Sequence, residues 1–536
     1  MTNSEAYLLT HDVGTTGNKT CLYRLGAGRL ELVDSALVEY PLYTLPNGGA
    51  EQHADDWWRA VCEATRAVLR NAGVPPASIA GMAFCAQMQG FVPVGRDGQV
   101  LRPAMSYMDN RAAAQIEKYL YTGLIRIGQW NAVKMLRWLA LTGGAAASVK
   151  DPLWKYLWLR ENEPETFAAM SSWLDVKDAL ILRATGEVTM GYDSAHATFL
   201  FDTRPGKLGW HAGLCRTFDV DIRHLPRVIH ATDVAGRLTP QAAAELGLVA
   251  GLPVLGGGGD LSLISVGAGC FDVNDAHIYI GTSGWVVATV DRRMTDIDGM
   301  VASILGAIPG RYNYISEQET AGRCLQWVRD HLALDEIGVY LNAQPSGDKQ
   351  QEQRSLYALL NQAVAETEPG AGGVLFTPWL HGNRSPFEDP LARGMFFNIG
   401  LETGKRQLIR AVLEGVAYNL RWMLETVEKK IPRRETVRFV GGGAQSPVWA
   451  QILADVTGRT IEVVENAQHV GTIGAAIVCA VGLGLLDSFQ EARPLIGVQA
   501  TYTPLPQYRA LYDRNFAVYR RLYASNRKLF RQLNQR

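Results

Sequence analysis

The chain has 536 residues, of which 47% are hydrophobic and 20% charged, and its formal net charge is -1. This length exceeds what one hydrophobic core supports, so we expect two domains of roughly 250 residues each. The near-zero net charge gives no indication of a nucleic-acid partner or of binding to an anionic membrane. Seven cysteines are scattered without a CxxC pair, which argues against a disulfide framework or a zinc site.

The sequence contains no segment typical of a signal peptide, and its first residues already read as a strand. The longest uncharged run, residues 470–486, is rich in glycine and shorter than the roughly 20 residues that a membrane-spanning helix needs. We interpret this run as a buried helix and expect a cytoplasmic protein with reduced thiols.

Helical and strand-like segments alternate along the chain, which predicts α/β layers. The predicted helices are residues 55–71, 153–161, 406–430 and 506–535. The predicted strands include residues 79–84, 253–255, 276–280 and 438–440. Residues 112–147 contain the turn "LTGGAAAS" and indicate an insertion or a small subdomain.

The first turn that suggests chemistry is "HDVGTTGNKT", residues 11–20, which lies between two apolar runs. Glycine lets backbone N–H groups approach a phosphate, and Thr15, Thr16 and Lys19 would add hydroxyl donors and a positive charge. The turn does not match GxxxxGK[ST], so the chain is not a P-loop enzyme. Asp12 could hold a magnesium ion on the phosphates through water, although an Asp that only starts a turn is the alternative.

A second turn repeats this pattern about half a chain later. The segment "HIYIGTSGWVVATV" echoes "YLLTHDVGTTGNKTCLYRL", because both read as strand, Gly-Thr turn and strand. The echo predicts two halves of similar fold, each offering one phosphate-binding turn. The predicted donors in the second turn are Gly281 and Thr282.

A third glycine element is "VRFVGGGAQSPVW", which reads as a strand, a glycine run and a helix. Ser446 can cap that helix. Glycines at a strand end, here Gly443 followed by Ala444, leave room for a base or ribose close to the backbone.

The fourth element, "GLPVLGGGGDLSLIS", places Asp260 after four glycines and at the start of a helix. One interpretation is a plain helix N-cap. The other is a carboxylate at the carboxyl end of a strand, where open α/β sheets bind ligands. Such a carboxylate can accept the proton of a hydroxyl that attacks a phosphoryl group.

Together these segments resemble the FGGY family of carbohydrate kinases, in the same order along nearly the whole chain. The resemblance is carried by "DVGTTGNK", "EQHADDWW", "AQMQGFVPV", "SYMDNR", "DPLWKYLWLREN", "GGGGD", "GTSG", "GGGAQSPVW" and "VGTIGAA". It implies the actin-like, ribonuclease H-like α/β fold, with two domains and a cleft between them. Residues 1–251 would form the sugar-binding domain, which also supplies the first phosphate turn, and residues 252–536 would hold most of the ATP site.

The resemblance also implies a reaction. It is the ATP-dependent phosphorylation of a ketopentose, with D-xylulose to D-xylulose 5-phosphate as the first choice and ATP and Mg²⁺ as cofactors. Asp260 would be the catalytic base and would also contact the sugar. The other family positions that carry over are Met88 and Gln89 for the sugar, and Gly322 and Gln326 for the nucleotide.

Two departures from the family pattern leave the substrate open. Gln89 stands where His is usual in relatives that act on D-xylulose, and Leu261 stands where Asn or Gln is often found. The alternatives are a kinase for ribulose, erythritol, glycerol or an acid sugar, and a sugar-responsive actin-like ATPase that transfers nothing. The expected partner is a small-molecule sugar, without nucleic acid or membrane, and a homodimer stays open.

Overall fold

Two central β-sheets organise residues 5–332 and 349–535, which the computed structural model describes. The first sheet contains β1 (Ala6–Val13), β2 (Gly17–Gly26), β3 (Arg29–Glu39), β4 (Ile79–Ala86), β5 (Val234–Arg237), β6 (Pro253–Leu255) and β7 (Gly258–Gly259). Its strand order is β5-β6-β4-β1-β2-β3, and β7 also pairs with β4. The sheet is mixed, because β1 pairs antiparallel with β2 and parallel with β4.

The second sheet repeats this arrangement. It contains β8 (Ala276–Ile280), β9 (Gly284–Val290), β10 (Thr295–Asp296), β11 (Val301–Leu305), β12 (Tyr312–Gln318), β13 (Thr436–Val440), β14 (Thr460–Val464) and β15 (Val498–Tyr502). Its order is β10-β11-β12-β9-β8-β13-β14-β15. Strand β8 pairs antiparallel with β9 and parallel with β13, just as β1 does with β2 and β4. The predicted repetition of a fold in two halves is therefore confirmed.

Helices cover both sheets. They are α1 (Ala54–Ala72), α2 (Ala113–Leu120), α3 (Ala132–Thr142), α4 (Pro152–Asn162), α5 (Pro164–Ala169), α6 (Val176–Thr185), α7 (Tyr192–Ala197), α8 (Ala212–Thr217), α9 (Pro240–Leu246), α10 (Asp260–Gly267), α11 (Gly322–His331), α12 (Lys349–Ala365), α13 (Lys405–Val427), α14 (Pro447–Thr457), α15 (Val470–Gly482) and α16 (Arg509–Asn534). Among the described residues, no helix combines the length and the apolar character needed to cross a bilayer.

The predicted elements agree with the structure apart from their ends. Helix α1 shows why such segments fold as expected, because Asp55 and Asp56 lie in its first turn and a left-handed Gly73 ends it. The last predicted helix starts later than expected, since a short 3-10 turn, Pro506–Tyr508, precedes α16. The expected domain division lies between residues 251 and 252, whereas β6 and β7 continue the first sheet beyond it.

The segment predicted as a small subdomain packs around aromatic side chains. It contains α2, a two-stranded hairpin and α3. Trp138 of α3 stacks on Phe218 with ring centroids 4.2 Å apart, and Trp154 of α4 meets Phe218 edge-on. These contacts give the segment its own hydrophobic cluster beside the first sheet.

Helices α10 and α15 cross at close range and join the two halves. Helix α10 continues from β7 of the first sheet, while α15 lies between β14 and β15 of the second sheet in the chain and packs on β1 and β4. A Cβ atom on Gly474 would lie 1.9 Å from the carbonyl oxygen of Leu263, and one on Gly267 would lie 2.0 Å from that of Val470. Glycine at both crossing points therefore sets the distance between the helices.

Replacing Gly474 by alanine tests this crossing. Replacing an exposed helical glycine by alanine stabilises the protein by up to about 1 kcal/mol. Forcing a methyl group into packed backbone instead costs about 1–3 kcal/mol or more. We expect Gly474→Ala to lower the free energy of unfolding by about 2 kcal/mol in urea titrations followed by circular dichroism. Gly400→Ala, whose methyl group would meet open space, is the control. Equal stability of the two variants would contradict the close crossing.

Candidate active site

The first glycine turn, residues 14–17, connects β1 to β2 and is held from its own backbone. The Gly14 N–H donates to the Gly17 carbonyl at 2.9 Å. The Tyr40 hydroxyl donates to the Gly14 carbonyl at 2.5 Å and lies 3.1 Å from the Gly17 carbonyl. The Tyr40 N–H donates to the Thr16 carbonyl at 3.0 Å. The Thr16 side chain is exposed. The turn thus presents a fixed backbone and a free hydroxyl.

A chain of amides joins this turn to the loop that carries Met88 and Gln89. The Gln87 amide donates to the side chain of Gln52 at 2.7 Å, and the Gln52 amide donates to the Thr15 carbonyl at 2.7 Å. Both glutamines are buried, at 5% and 1% exposure. Buried amides of this kind fix their neighbours because an unpaired partner would be costly. The geometry of the first turn is therefore coupled to that of the loop.

Three contacts hold the backbone and side chain of Gln89, which adopts a left-handed conformation with φ of 62°. Its N–H donates to Asp175 at 3.1 Å, and its carbonyl accepts from the Lys155 ammonium at 2.8 Å. Its side-chain amide lies 3.4 Å from a carboxylate oxygen of Asp151. Burial lowers the pKa of Lys155 to about 8 and raises that of Asp151 to about 6. Gln89 is consequently a fixed hydrogen-bonding group rather than a mobile one.

Asp260 is the first residue of α10 and lies at the same sheet edge as Asp12. Strand β7 pairs Gly258 with Cys85, and β1 pairs Asp12 with the same Cys85 of β4. The side chain of Met88 fills the space beside the α-carbon of Gly259. Gly259 occupies the N-cap position of α10, and Asp260, the first helical residue, accepts from the Leu261 N–H through one carboxylate oxygen at 2.8 Å.

The glycine run before Asp260 has a steric reason. Gly257 has φ of 59°, and a Cβ atom there would lie 2.2 Å from the carbonyl oxygen of Phe84. Only glycine fits such a position. The run lets the chain turn tightly against β4 before it presents Asp260.

Burial and neighbouring carboxylates perturb both acids. Burial raises the pKa of Asp260 to about 7, and the charges of Asp12, Glu317 and Asp175 add to this effect. Burial also raises the pKa of Asp12, against the opposing influence of Lys19 and of a hydrogen bond from the Cys85 thiol. A carboxyl group that titrates near neutrality is suited to accept a proton at physiological pH.

The second glycine turn, residues 281–284, connects β8 to β9 and lies against the start of α11. The Gly281 N–H donates to the Ser283 carbonyl at 3.0 Å, and the Gly322 N–H donates to the Gly281 carbonyl at 2.8 Å. A Cβ atom on Gly322 would lie 2.3 Å from that carbonyl oxygen. The Thr282 side chain is exposed, as is that of Gln326 one helical turn after Gly322.

The third glycine element packs on the end of β8. A Cβ atom on Gly443 would lie 2.6 Å from a methyl group of Ile280, which places Gly443 and Ala444 beside the second turn. The Ser446 hydroxyl accepts from the Trp449 N–H at 3.1 Å, so its predicted role as a helix cap is confirmed. The same hydroxyl donates to Asn361 at 2.7 Å.

Lys19 has a partner in the second half of the chain. Its ammonium donates to the Gln468 carbonyl at 2.6 Å, just before α15. This hydrogen bond uses one of the three N–H donors of the ammonium, and the other two can still contact a phosphate. Strand pairing places Lys19 directly opposite Asp12, which keeps its charge near that carboxylate.

Sequence reasoning did not single out four residues that surround these turns. The Tyr107 hydroxyl lies 3.2 Å from the Thr15 hydroxyl, and the Tyr279 ring stacks on Trp285 close to Gly281. Glu317 forms an ion pair with Arg384 at 3.0 Å, and Arg384 lies in the segment "PWLHGNRSPFEDP". A charged residue inside the largely buried strand "YNYISEQ" was the one available signal for Glu317. The side chain of His381 in the same loop as Arg384 is exposed.

The paired sheets, with a glycine turn at the edge of each, define a two-domain carbohydrate kinase fold. The chain matches the FGGY family of carbohydrate kinases, N-terminal domain, over residues 7–267 and the C-terminal domain of the same family over residues 276–483. It belongs to the FGGY family and is a carbohydrate kinase. The predicted family and fold are confirmed.

Individual relatives differ in the sugar that their names give. The chain is 28% identical to the xylulose kinase of Escherichia coli (strain K12) over 518 residues, which cover 96% of this chain and 97% of that protein. It is 26% identical to the gluconokinase of Bacillus subtilis (strain 168), with 94% of each chain covered. Its fold matches that of ligand-bound xylulose kinase from Lactobacillus acidophilus with a TM-score of 0.83, at 23% identity and with 98% of this chain and 100% of that chain covered.

The raised pKa of Asp260 predicts a pH-dependent stability. Asp260 keeps its proton up to about pH 7 in the folded protein, whereas it loses the proton near pH 4 in the unfolded chain. The free-energy cost of ionising Asp260 in the folded protein therefore grows between pH 4 and pH 7 and is complete above pH 7. We expect Asp260→Asn to raise the free energy of unfolding by about 1–2 kcal/mol at pH 8 and by less at pH 5. Urea titrations at the two pH values measure the difference. Asp97→Asn, on an exposed turn, is the control, and an equal gain at both pH values would refute the assignment.

Proposed function

We propose that this kinase transfers the γ-phosphoryl group of ATP to a neutral ketopentose, with D-xylulose as its preferred substrate. The products are ADP and D-xylulose 5-phosphate. The observation that carries the proposal is the position of Asp260, at the sheet edge that also bears Asp12 and the first glycine turn. Identity to several xylulose kinases along nearly the whole chain supports the choice of sugar.

Asp260 would act as the general base. The attacking sugar oxygen forms a bond to the γ-phosphorus, the bond from that phosphorus to the oxygen bridging it to the β-phosphate breaks, and ADP leaves. The hydroxyl proton passes to the carboxylate of Asp260. With a pKa of about 7, roughly half of the Asp260 carboxyl groups are ionised at neutral pH and can take the proton, and positioning supplies most of the remaining acceleration.

The residues of the glycine turns would hold ATP. Backbone N–H groups and hydroxyls of the two turns suit its phosphates, through Thr15, Thr16, Gly281 and Thr282, with Lys19 as a charge. The remaining predicted nucleotide contacts are Gly322, Gln326, Gly443, Ala444 and Ser446. The glycine and alanine positions leave backbone accessible to a ribose or base.

Asp12 fits the needs of a magnesium ion. Mg²⁺ prefers oxygen ligands and is usually held by one or two carboxylates together with substrate phosphates. Within residues 5–332 and 349–535, no three acidic, histidine or cysteine side chains group as a complete metal cage. Asp12 is half-buried and its pKa is raised, so a cation beside it would relieve an unfavourable charge. When bound, the ion would neutralise charge on the transferred phosphoryl group.

The cations near the sugar loop favour a neutral sugar over an acid sugar. Lys155 donates to the carbonyls of Gln89 and Ser106 at 2.8 and 2.7 Å. Arg384 is paired with Glu317, and Lys150 lies 3.8 Å from Glu319. Lys155 is fully buried and the charges of Arg384 and Lys150 are balanced by glutamates, so none of these three cations offers an unbalanced charge to a substrate carboxylate. The amide oxygen of Gln89 can accept from a sugar hydroxyl.

A gluconate kinase is the second candidate, because the Bacillus subtilis relative acts on that sugar acid by its name. The distinguishing experiment is ADP release by the purified protein with Mg-ATP and D-xylulose, D-ribulose, erythritol, glycerol or D-gluconate, with a sugar-free blank. We expect kcat/KM for D-xylulose to exceed that for D-gluconate by at least about tenfold, which is about 1.4 kcal/mol. A preference for gluconate would overturn the neutral-sugar argument, and no stimulation by any of them would overturn the proposed substrate class.

Removal of the proposed base should act on kcat. We expect Asp260→Ala to lower kcat about a thousandfold while leaving KM for both substrates within about threefold, because the carboxylate acts in proton transfer rather than in binding. In the wild type, kcat/KM should rise with pH through about 7, as Asp260 loses its proton, and the variant should lack this limb. Stopped-time ADP assays from pH 5.5 to 8.5 measure both. A variant that keeps wild-type turnover would exclude Asp260 as the base.

A further inference from the structure

We infer that the buried ammonium of Lys177 positions the active site, because it lies among carboxyl groups of which two hold active-site loops. One carboxylate, Asp193, holds the backbone just before the catalytic Asp260. The other, Asp175, holds the sugar loop at Gln89. The kinetic part of this inference rests on the proposed function, whereas its structural part does not.

Asp193 of α7 is the tether of the catalytic loop. One of its oxygens accepts from the Gly259 N–H at 2.7 Å, and the other accepts from the Ser194 N–H at 2.8 Å. The side chain is 4% exposed. Gly259 directly precedes Asp260, so a shift of Asp193 moves the backbone from which the base projects.

Asp175 performs the same task for the sugar loop. Its two oxygens accept from the Gln89 N–H at 3.1 Å and the Gly90 N–H at 2.8 Å. It lies two residues before Lys177, and it also accepts from the Val176 N–H at the start of α6. Both active-site loops are thus held by buried carboxyl groups, and burial raises the pKa of Asp175 to about 7.

Lys177 is the cation among these acids. It is 1% exposed and forms an ion pair with Asp178. Its ammonium and a carboxylate oxygen of Asp193 both lie beside the α-carbon of Gly191. Burial alone would lower the pKa of Lys177, but Asp178, Asp193 and Asp175 together raise it, so the side chain stays charged. The buried ammonium therefore offsets negative charge on the surrounding carboxyl groups, which would otherwise repel one another.

Gly191 allows a test that leaves every charge in place. Its backbone angles, φ -70° and ψ 154°, suit alanine as well as glycine. A Cβ atom there would lie 2.8 Å from an Asp193 oxygen and 2.9 Å from the Lys177 nitrogen. The substitution Gly191→Ala should therefore push these two groups apart, while Gly400→Ala, with open space around its methyl group, should not.

The experiment measures two quantities for both variants and the wild type. Hydrogen exchange of the full-length protein without substrate, read by mass spectrometry, reports on the peptides that contain residues 89–90 and 258–261. Steady-state ADP release with the best sugar of the panel reports on kcat. We expect Gly191→Ala to speed exchange at both peptides at least fivefold and to lower kcat at least tenfold, with Gly400→Ala unchanged in both. Unchanged exchange at either peptide would overturn the inference.

A second pair of variants tests the tether between Asp193 and Gly259 if Gly191→Ala does not fold. Asp193→Asn keeps an acceptor oxygen for Gly259, whereas Asp193→Ala removes it. We expect kcat of Asp193→Asn to exceed that of Asp193→Ala at least tenfold, with equal kcat overturning the tether. A wild type that phosphorylates no sugar would remove the proposed function alone, because the exchange measurement would still judge the positioning of the loops.

Discussion

Carboxylates gathered at one edge of the first sheet are the constraint on which the rest of the structure depends. Asp175 and Asp193, behind the edge, accept backbone N–H groups and lie near the Lys177 ammonium. Burial raises the pKa of Asp175 and Asp260 to about 7, and it raises the pKa of Asp12 against the influence of Lys19. Asp175 and Asp193 fix the loops, whereas Asp12 and Asp260 are partly exposed, so a cation or a proton can reach them.

The second half of the chain supplies what the first lacks. Its sheet has the same strand pairings and offers its own glycine turn at residues 281–284, with Gly443 packed close to it. The crossing of α10 with α15 fixes the two halves to each other, and Lys19 bridges them through the Gln468 carbonyl. A reaction that transfers a phosphoryl group to a sugar rather than to water needs a site that keeps water from the nucleotide.

Much of the fold could be predicted from the sequence. The glycine–threonine turns between apolar runs predicted the repeated pairs of strands. The glycine run before Asp260 predicted that this residue follows the end of a strand. The contacts of Arg384 with Glu317 and of Gln52 with Thr15 could not be predicted in this way. They join residues far apart in the chain, and no local pattern of polarity encodes which buried donor meets which acceptor.

The central claim is that the two glycine turns and Asp260 surround one point at which a phosphoryl group is transferred. The most direct measurement is a crystal structure of Asp260→Asn with a non-hydrolysable ATP analogue, Mg²⁺ and D-xylulose. The account predicts that the γ-phosphate lies between residues 14–17 and 281–284, with a sugar hydroxyl within hydrogen-bonding distance of residue 260. A nucleotide bound away from either turn, or a sugar whose hydroxyls all lie far from residue 260, would contradict it.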